Sequence, residues 1–129
     1  MKGDISPQLA ADTLLFTGYE DDYITVNQQR YHTGLSIHHG QILSPWGPDR
    51  LRDLSIEHLN SFLDPAPEVL ILGTGRLTAF PDMNILAYMA ERHIGFECMD
   101  SRSAARTYNI LIEEGRTVSV AMLLPGARK

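Results

Sequence analysis

Two short blocks of this sequence bring together the residue types that bind anions. The first, Gly73-Thr74-Gly75-Arg76, follows the apolar run Val69 to Leu72. The second, Asp100-Ser101-Arg102, is followed on the same helical face by Arg106 and Asn109. Glycines let backbone N–H groups approach a bound group closely. Hydroxyls donate hydrogen bonds, and guanidinium forks match carboxylate or phosphate oxygens. Arg102 falls in the first turn of a predicted helix, where a cation opposes the helix dipole. Arg106, one turn on, adds like-charge repulsion. Local rules broken in this way are a mark of functional positions.

The same residues also have a structural reading. A G-x-G-x-x-G fingerprint would need glycine at position 78, where the chain has Thr78, and no G-K-S/T closes a phosphate loop. Residues 77–81 separate Arg76 from the next helix start at Asp82, so the loop does not run straight into a helix N-terminus. On this reading the glycines supply unusual backbone angles and close approach at a strand exit. Asp82, Asp100, Glu113 and Glu114 would then neutralise the arginines in surface pairs.

The remaining candidates carry less chemistry. His32, His38, His39, His58 and His93 form no H-x-x-x-H, and neighbouring strand residues such as His38 and His39 point to opposite faces. No metal and no cofactor are expected. Cys98, between Phe96 and Met99, reads as a buried thiol. Tyr108 reads as core with its hydroxyl at the rim. There is no G-x-S-x-G elbow, and Glu113 and Glu114 close an amphipathic helix facing water. No reaction is indicated.

The elements that must position the two blocks follow from punctuation and periodicity. Residues 1–13 read as a loosely held arm. From Tyr19 to Trp46 three short β-rich runs are separated by Asn27-Gln28-Gln29 and His38-His39-Gly40, as hairpin turns would be. Ser55 caps a short helix with Ile56, Leu59, Phe62 and Leu63 on one face, ended by Pro65 and Pro67. Val69 to Leu72 has the unbroken apolar character of a strand buried on both faces. Pro81 and Asp82 open a helix with Ile85, Leu86, Met89 and His93 inward, and Gly95 at its stop. Phe96 to Met99 is a strand. Asp100 or Ser101 caps a helix carrying Ala104, Ala105, Tyr108, Leu111 and Ile112 inward to Gly115, and Thr117 to Leu123 is a last strand. The order β-β-β-α, then β-α-β-α-β, predicts one α/β domain over residues 1–129. Its helices pack on a largely parallel sheet, and the early hairpins form a smaller layer. If the strands before the two blocks are parallel neighbours, both blocks emerge on one sheet edge, where open α/β sheets bind ligands.

The whole chain limits the partners. Its 129 residues suit one domain. A net charge of −5 without a Lys/Arg run argues against nucleic acid or an anionic membrane as main partner. No apolar run reaches the ~20 residues of a membrane span, so no direct membrane insertion is expected. A single cysteine fits a reducing, cytoplasmic compartment.

The strings "YEDDYITVNQQRYHTGLSI", "SPW", "EVLILGTGRL", "IGFECMDSRSAARTYNILIEEGR" and "VAMLLPG" resemble one family over about Tyr19 to Pro125. It contains the mitochondrial assembly factor of NADH-ubiquinone oxidoreductase (respiratory complex I) and uncharacterised bacterial and archaeal relatives. Ser101 stands where threonine is expected in that family. The short head lacks the targeting extension of the mitochondrial members, so their location does not carry over. The resemblance implies three layers, with a central mixed sheet between helices on one side and β plus α elements on the other. It also implies a non-catalytic role through a protein partner, such as a membrane complex or its subunits. The alternative is a small-anion binder, or an enzyme, with a crevice formed by Gly73, Thr74, Gly75, Arg76, Asp100, Ser101, Arg102, Arg106 and Asn109.

Overall fold

A computed structural model describes residues 11–129. The strands are β1 (Phe16–Glu20), β2 (Tyr23–Val26), β3 (Gln29–Tyr31), β4 (Leu35–His38), β5 (Gln41–Leu43), β6 (Val69–Gly73), β7 (Gly95–Met99) and β8 (Val118–Met122). The helices are α1 (Ile56–Leu59), α2 (Met83–Glu91) and α3 (Ser101–Glu113), with single 3-10 turns at Leu51–Asp53 and Asn60–Phe62. Most of the predicted arm lies outside the described residues. At its end the Thr13 carbonyl accepts a hydrogen bond from Asn27 Nδ2 at 2.9 Å.

Five strands precede α1, where the sequence suggests three. β1 begins at Phe16 rather than Tyr19, because a register irregularity between Phe16 and Gly18 breaks the alternation a strand would show. The run from Arg30 to Ile37 is two strands, because the chain changes sheets at Gly34. A Cβ there would lie 2.6 Å from the Trp46 carbonyl oxygen and 2.9 Å from that of Met122. The two hairpin turns are where the sequence puts them. Asn27 and Gln28 (φ 46° and 73°) and His39 and Gly40 (φ 51° and 76°) are all left-handed, the geometry that suits the twist of tight hairpins.

β1-β2-β3 form a small antiparallel sheet, while β4 and β5 join the central sheet, ordered β5-β4-β8-β6-β7. β6 is parallel to β7 and β8, and β4 is antiparallel to β8. From β6 the chain crosses through α2 to β7 on one side. It then crosses back through α3 to β8 on the other. Two crossovers of one hand running in opposite directions must use opposite faces of the sheet.

The core divides accordingly. Leu70, Leu72 and Ala121 pack with Trp46, Leu59, Phe62, Ile85 and Met89 beneath α1 and α2. Ile71, Val120 and Met122 pack with Ala104, Ala105 and Tyr108 of α3 and with Phe16, Ile24 and Val26 of the small sheet. This is the three-layer mixed α/β domain that the resemblance implied; the pattern's largely parallel sheet gains an antiparallel side because β4 and β5 join it.

Two helix ends differ from expectation. α1 is one turn long before the 3-10 turn takes over, and Ser55 N donates to His58 Nδ1 at 2.9 Å to close its start. His93 does not face inward; it is exposed, with a φ of 58°, and turns the chain out of α2. Histidine tolerates this left-handed conformation better than most residues. Gly95 instead opens β7, where a Cβ would lie 2.9 Å from the Glu68 carbonyl oxygen.

Phe62 has no exposed surface and sits edge-on to both Trp46 and His38. Phe62→Ala is expected to cost about 3–5 kcal/mol. Urea unfolding should show it as a lower midpoint with an unchanged slope.

Candidate functional site

The three parallel strands end level, since Gly73 is in register with both Met99 and Met122. Three segments leave this edge: the Thr74 to Asp82 loop, α3, and the tail after Met122. Both blocks singled out in the sequence therefore meet here, joined by the tail.

At their junction lies Ser101, with 1% of its surface exposed. Its Oγ donates to the Leu123 carbonyl at 2.7 Å and accepts from Gly75 N at 2.9 Å. Its own N–H donates to the Gly75 carbonyl at 2.9 Å. Thr74, equally buried, donates its hydroxyl toward the Leu77 and Met99 carbonyls at 2.7 and 3.1 Å. Both hydroxyls are thus committed within the chain. The two glycines are needed for contact: a Cβ on Gly73 would lie 2.4 Å from Met122 Sδ and 2.9 Å from Ser101 Oγ. Gly75, at φ 102°, would bring a Cβ to 2.4 Å from the Ala127 carbonyl oxygen.

Arg76 and Arg102 do converge, on a carboxylate the sequence did not single out. Asp21, in the turn between β1 and β2, accepts from Arg76 Nη2 at 3.0 Å through Oδ2 and from Arg102 Nη2 at 2.9 Å through Oδ1. Its backbone carbonyl also accepts from Gly126 N at 2.8 Å. Asp82, Asp100, Glu113 and Glu114, the neutralising acids expected from sequence, form no ion pair with these arginines among the described residues. Asp82 and Asp100 stand at helix N-termini, and Glu113 and Glu114 lie a full helix length away. The adjacent acids Asp21-Asp22 between two β runs do signal a turn, but its destination depends on the small sheet docking against α3.

Arg106 turns aside, donating to Tyr19 Oη at 2.7 Å and to Ser103 Oγ at 3.2 Å. Asp100 caps α3, accepting from Ser103 N at 3.1 Å and Ser103 Oγ at 2.7 Å. Burial alone would raise its pKa, but the two Ser103 bonds, with Arg106 and Thr78, leave it below the usual carboxylate value. Asn109 acts as a surrogate strand: its Oδ1 accepts from Phe16 N at 2.9 Å and its Nδ2 donates to Phe16 O at 2.8 Å. Tyr108 is core, packed edge-on against Phe16, and burial pushes its hydroxyl up to about 12. Burial, then the Glu97 charge, pushes the Cys98 thiol to about 12 as well, which leaves it un-ionised at neutral pH. The His, Cys, Asp and Glu residues form no cluster of three able to hold a metal among the described residues.

Around the clamp the tail fills the space outside the strand ends. Arg76 N donates to the Ala127 carbonyl at 2.9 Å, and Leu123 N to the Gly73 carbonyl at 3.0 Å. Carboxyl-end crevices of this kind hold ligands in many open α/β sheets. In this chain its own residues 123–127 lie across that edge.

The arrangement defines a class, a small three-layer α/β domain closed at its strand ends by an internal arginine–aspartate clamp. A crystal structure of a Bordetella parapertussis protein is 38% identical, with a TM-score of 0.80 over 92% of this chain and 99% of that one. The solution structure of a Bordetella pertussis protein, described as a Mth938-like domain, is 32% identical with a TM-score of 0.77, covering 95% and 93% of the two chains. Residues 16–123 match the family model described as "Protein of unknown function (DUF498/DUF598)", and the chain belongs to that family. Curated relatives include NADH dehydrogenase [ubiquinone] 1 alpha subcomplex assembly factor 3 of Xenopus tropicalis, 33% identical over 62% of this chain and 45% of the relative. The Danio rerio protein of the same name is 36% identical over 64% of this chain and 48% of the relative. The chain thus spans about half the length of these relatives. A "13 kDa major membrane protein" of Francisella tularensis is 27% identical over 85% of this chain and 90% of its own length. Among the described residues no helix is long and apolar enough to cross a membrane.

Two outcomes follow from the geometry. Ser101→Ala strands the Gly75 N–H and the Leu123 carbonyl in a buried site. It is expected to cost about 1–3 kcal/mol in chemical denaturation.

Asp21 is held below its ordinary carboxylate value, first by the hydrogen bond from Arg102, then by that from Arg76 and its charge. Its folded pKa is therefore below its unfolded one, so the clamp's contribution is complete above the unfolded value. It is lost as pH falls through the folded value. The melting-temperature difference between the parent and Asp21→Asn should be constant near neutrality and shrink toward zero in acid. It should also be smaller at ~1 M salt, because the group is exposed.

Proposed function

We propose that this protein is a non-catalytic, cytoplasmic member of the assembly-factor branch of its family, acting through contacts with a protein partner such as a membrane complex or its subunits. A single observation carries the reading. Of the groups that could have served a small ligand at the strand ends, both hydroxyls, Asn109 and the two converging arginines are engaged inside the chain, and the tail lies across the edge. The similarity to complex I assembly factors supports a partner-binding role, and the one cysteine supports a reducing compartment. The nine residues Gly73, Thr74, Gly75, Arg76, Asp100, Ser101, Arg102, Arg106 and Asn109 then serve the partner indirectly, by holding the strand-end surface in one shape. Residues 1–129 act as one domain in this reading.

The small-anion alternative would have the ligand displace the Asp21 carboxylate from Arg76 and Arg102, losing one charge pair for each one gained. The test is thermal unfolding with phosphate, nucleotides, dinucleotides and small carboxylates, beside size-exclusion of the tagged protein purified from its source cells. The expected result is no anion-dependent shift beyond that of ionic strength, with the protein eluting in a stoichiometric complex. A ligand at ~100 times its dissociation constant would add about 2.7 kcal/mol. A shift of that size, abolished by Arg102→Ala, would replace the protein-contact reading with the ligand site.

A further inference from the structure

Outside the clamp, the segment that follows Gly75 leaves three large apolar side chains in water. Leu77 is 59% exposed, Phe80 69% and Met83 84%. Single exposed apolar residues are ordinary. Three spaced three apart along one loop and helix start, next to concave surface, mark a place where something docks. Two hollows of about 300 and 160 Å³ border the segment and meet at Lys129. The larger is walled by Arg76, Leu77 and Arg128, the smaller by Arg52, Phe80 and Asp82.

The charge of this surface runs against that of the whole chain. The protein carries net charge −5, yet Arg52, Arg128 and Lys129 border the two hollows and form no ion pair among the described residues. Among the described residues Asp82 is the only acidic side chain lining either hollow, and Arg76 is already neutralised by Asp21. The tail that carries Arg128 and Lys129 is tied to the segment before Arg52: Arg50 Nε donates to the Lys129 main-chain oxygen at 2.9 Å, and Leu51 N reaches the Arg128 carbonyl at 3.4 Å.

We propose that this surface docks an acidic segment of a protein partner that also carries large apolar side chains. The apolar side chains seat against Leu77, Phe80 and Met83, and the carboxylates reach Arg52, Arg128 and Lys129. The proposal rests on the protein-contact reading above and adds where the contact is made and with what chemistry. A lipid surface fits less well. A bilayer presents its negative charge over an area wider than this local group of cations, so it would also meet the acidic remainder of the chain. A narrow peptide segment meets only what lies within a Debye length, ~8 Å at physiological salt.

The test places the photo-crosslinker p-benzoylphenylalanine in the full-length chain, in its source cells, at Phe80 or Met83. Controls carry it at Leu43 or Ile110, which are 53% and 55% exposed but border neither hollow. The expected result is adducts at positions 80 and 83 to one partner, whose cross-linked peptide, mapped by mass spectrometry, contains several Asp or Glu residues. Arg52→Glu and Arg128→Glu should each lower the yield by roughly fivefold or more while melting temperature stays unchanged.

Adducts only at Leu43 or Ile110 would overturn this surface and leave the protein-contact reading standing. No protein adduct at any of the four positions would overturn both. Adducts to lipid, to a second copy of the chain, or to a peptide without acidic residues would assign a different occupant. Yields indifferent to the two charge reversals would remove the acidic partner.

Discussion

One buried hydroxyl organises the end of the molecule where its parallel strands stop. Ser101 Oγ bonds at once to the loop leaving β6 and the tail leaving β8, while Ser101 itself begins the helix that follows β7. Three segments far apart in sequence are joined at one atom, and the bonds are made where water is excluded. A buried polar group left unpaired costs more than a paired one gains. This site therefore tolerates Gly73-Thr74-Gly75, and it requires Gly73 and Gly75 to be glycine because Ser101 and Ala127 press against them.

The Asp21 clamp sits beside that junction. Arg76 lies in the loop that Ser101 holds, Arg102 is the residue after Ser101, and Asp21 comes from the small sheet that packs with α3. The clamp is exposed, so its worth in stability is limited by solvent screening. Its effect is geometric. It ties the β1–β2 turn to the strand ends, and through the Gly126 N–H to Asp21 bond it ties the tail to both.

Functionally, an anion-shaped site that is filled from within differs from an empty one. A cluster of arginines, hydroxyls and glycines at the carboxyl edge of a parallel sheet would ordinarily point to a bound phosphate or carboxylate. Here the same residue types brace an edge whose outgoing loop and helix start leave Leu77, Phe80 and Met83 exposed. Polar groups at this edge are thus engaged within the chain, beside three apolar side chains left in water.

The sequence by itself determined the local elements. An unbroken Val69–Leu72 run bounded by Pro67 and Gly73 reads as a strand buried on both faces, and Asp100 before Ser-Arg-Ser-Ala-Ala can cap a helix. Turn signals such as Asn27-Gln28-Gln29 and His38-His39-Gly40 announce hairpins, because backbone preferences and short-range hydrogen bonds settle these features within a few residues. The convergence of the two arginine blocks was legible as well, since parallel neighbouring strands must deliver their loops to one edge. What filled that edge was not. The sheet change at Gly34 follows from close approach to Trp46 and Met122. The partnership of Asp21 with Arg76 and Arg102, and the tail laid over Gly75, likewise join residues 50 or more positions apart. Sequence spacing carries no record of such contacts; they exist only once the small sheet and the helices have packed on the two faces of the central sheet.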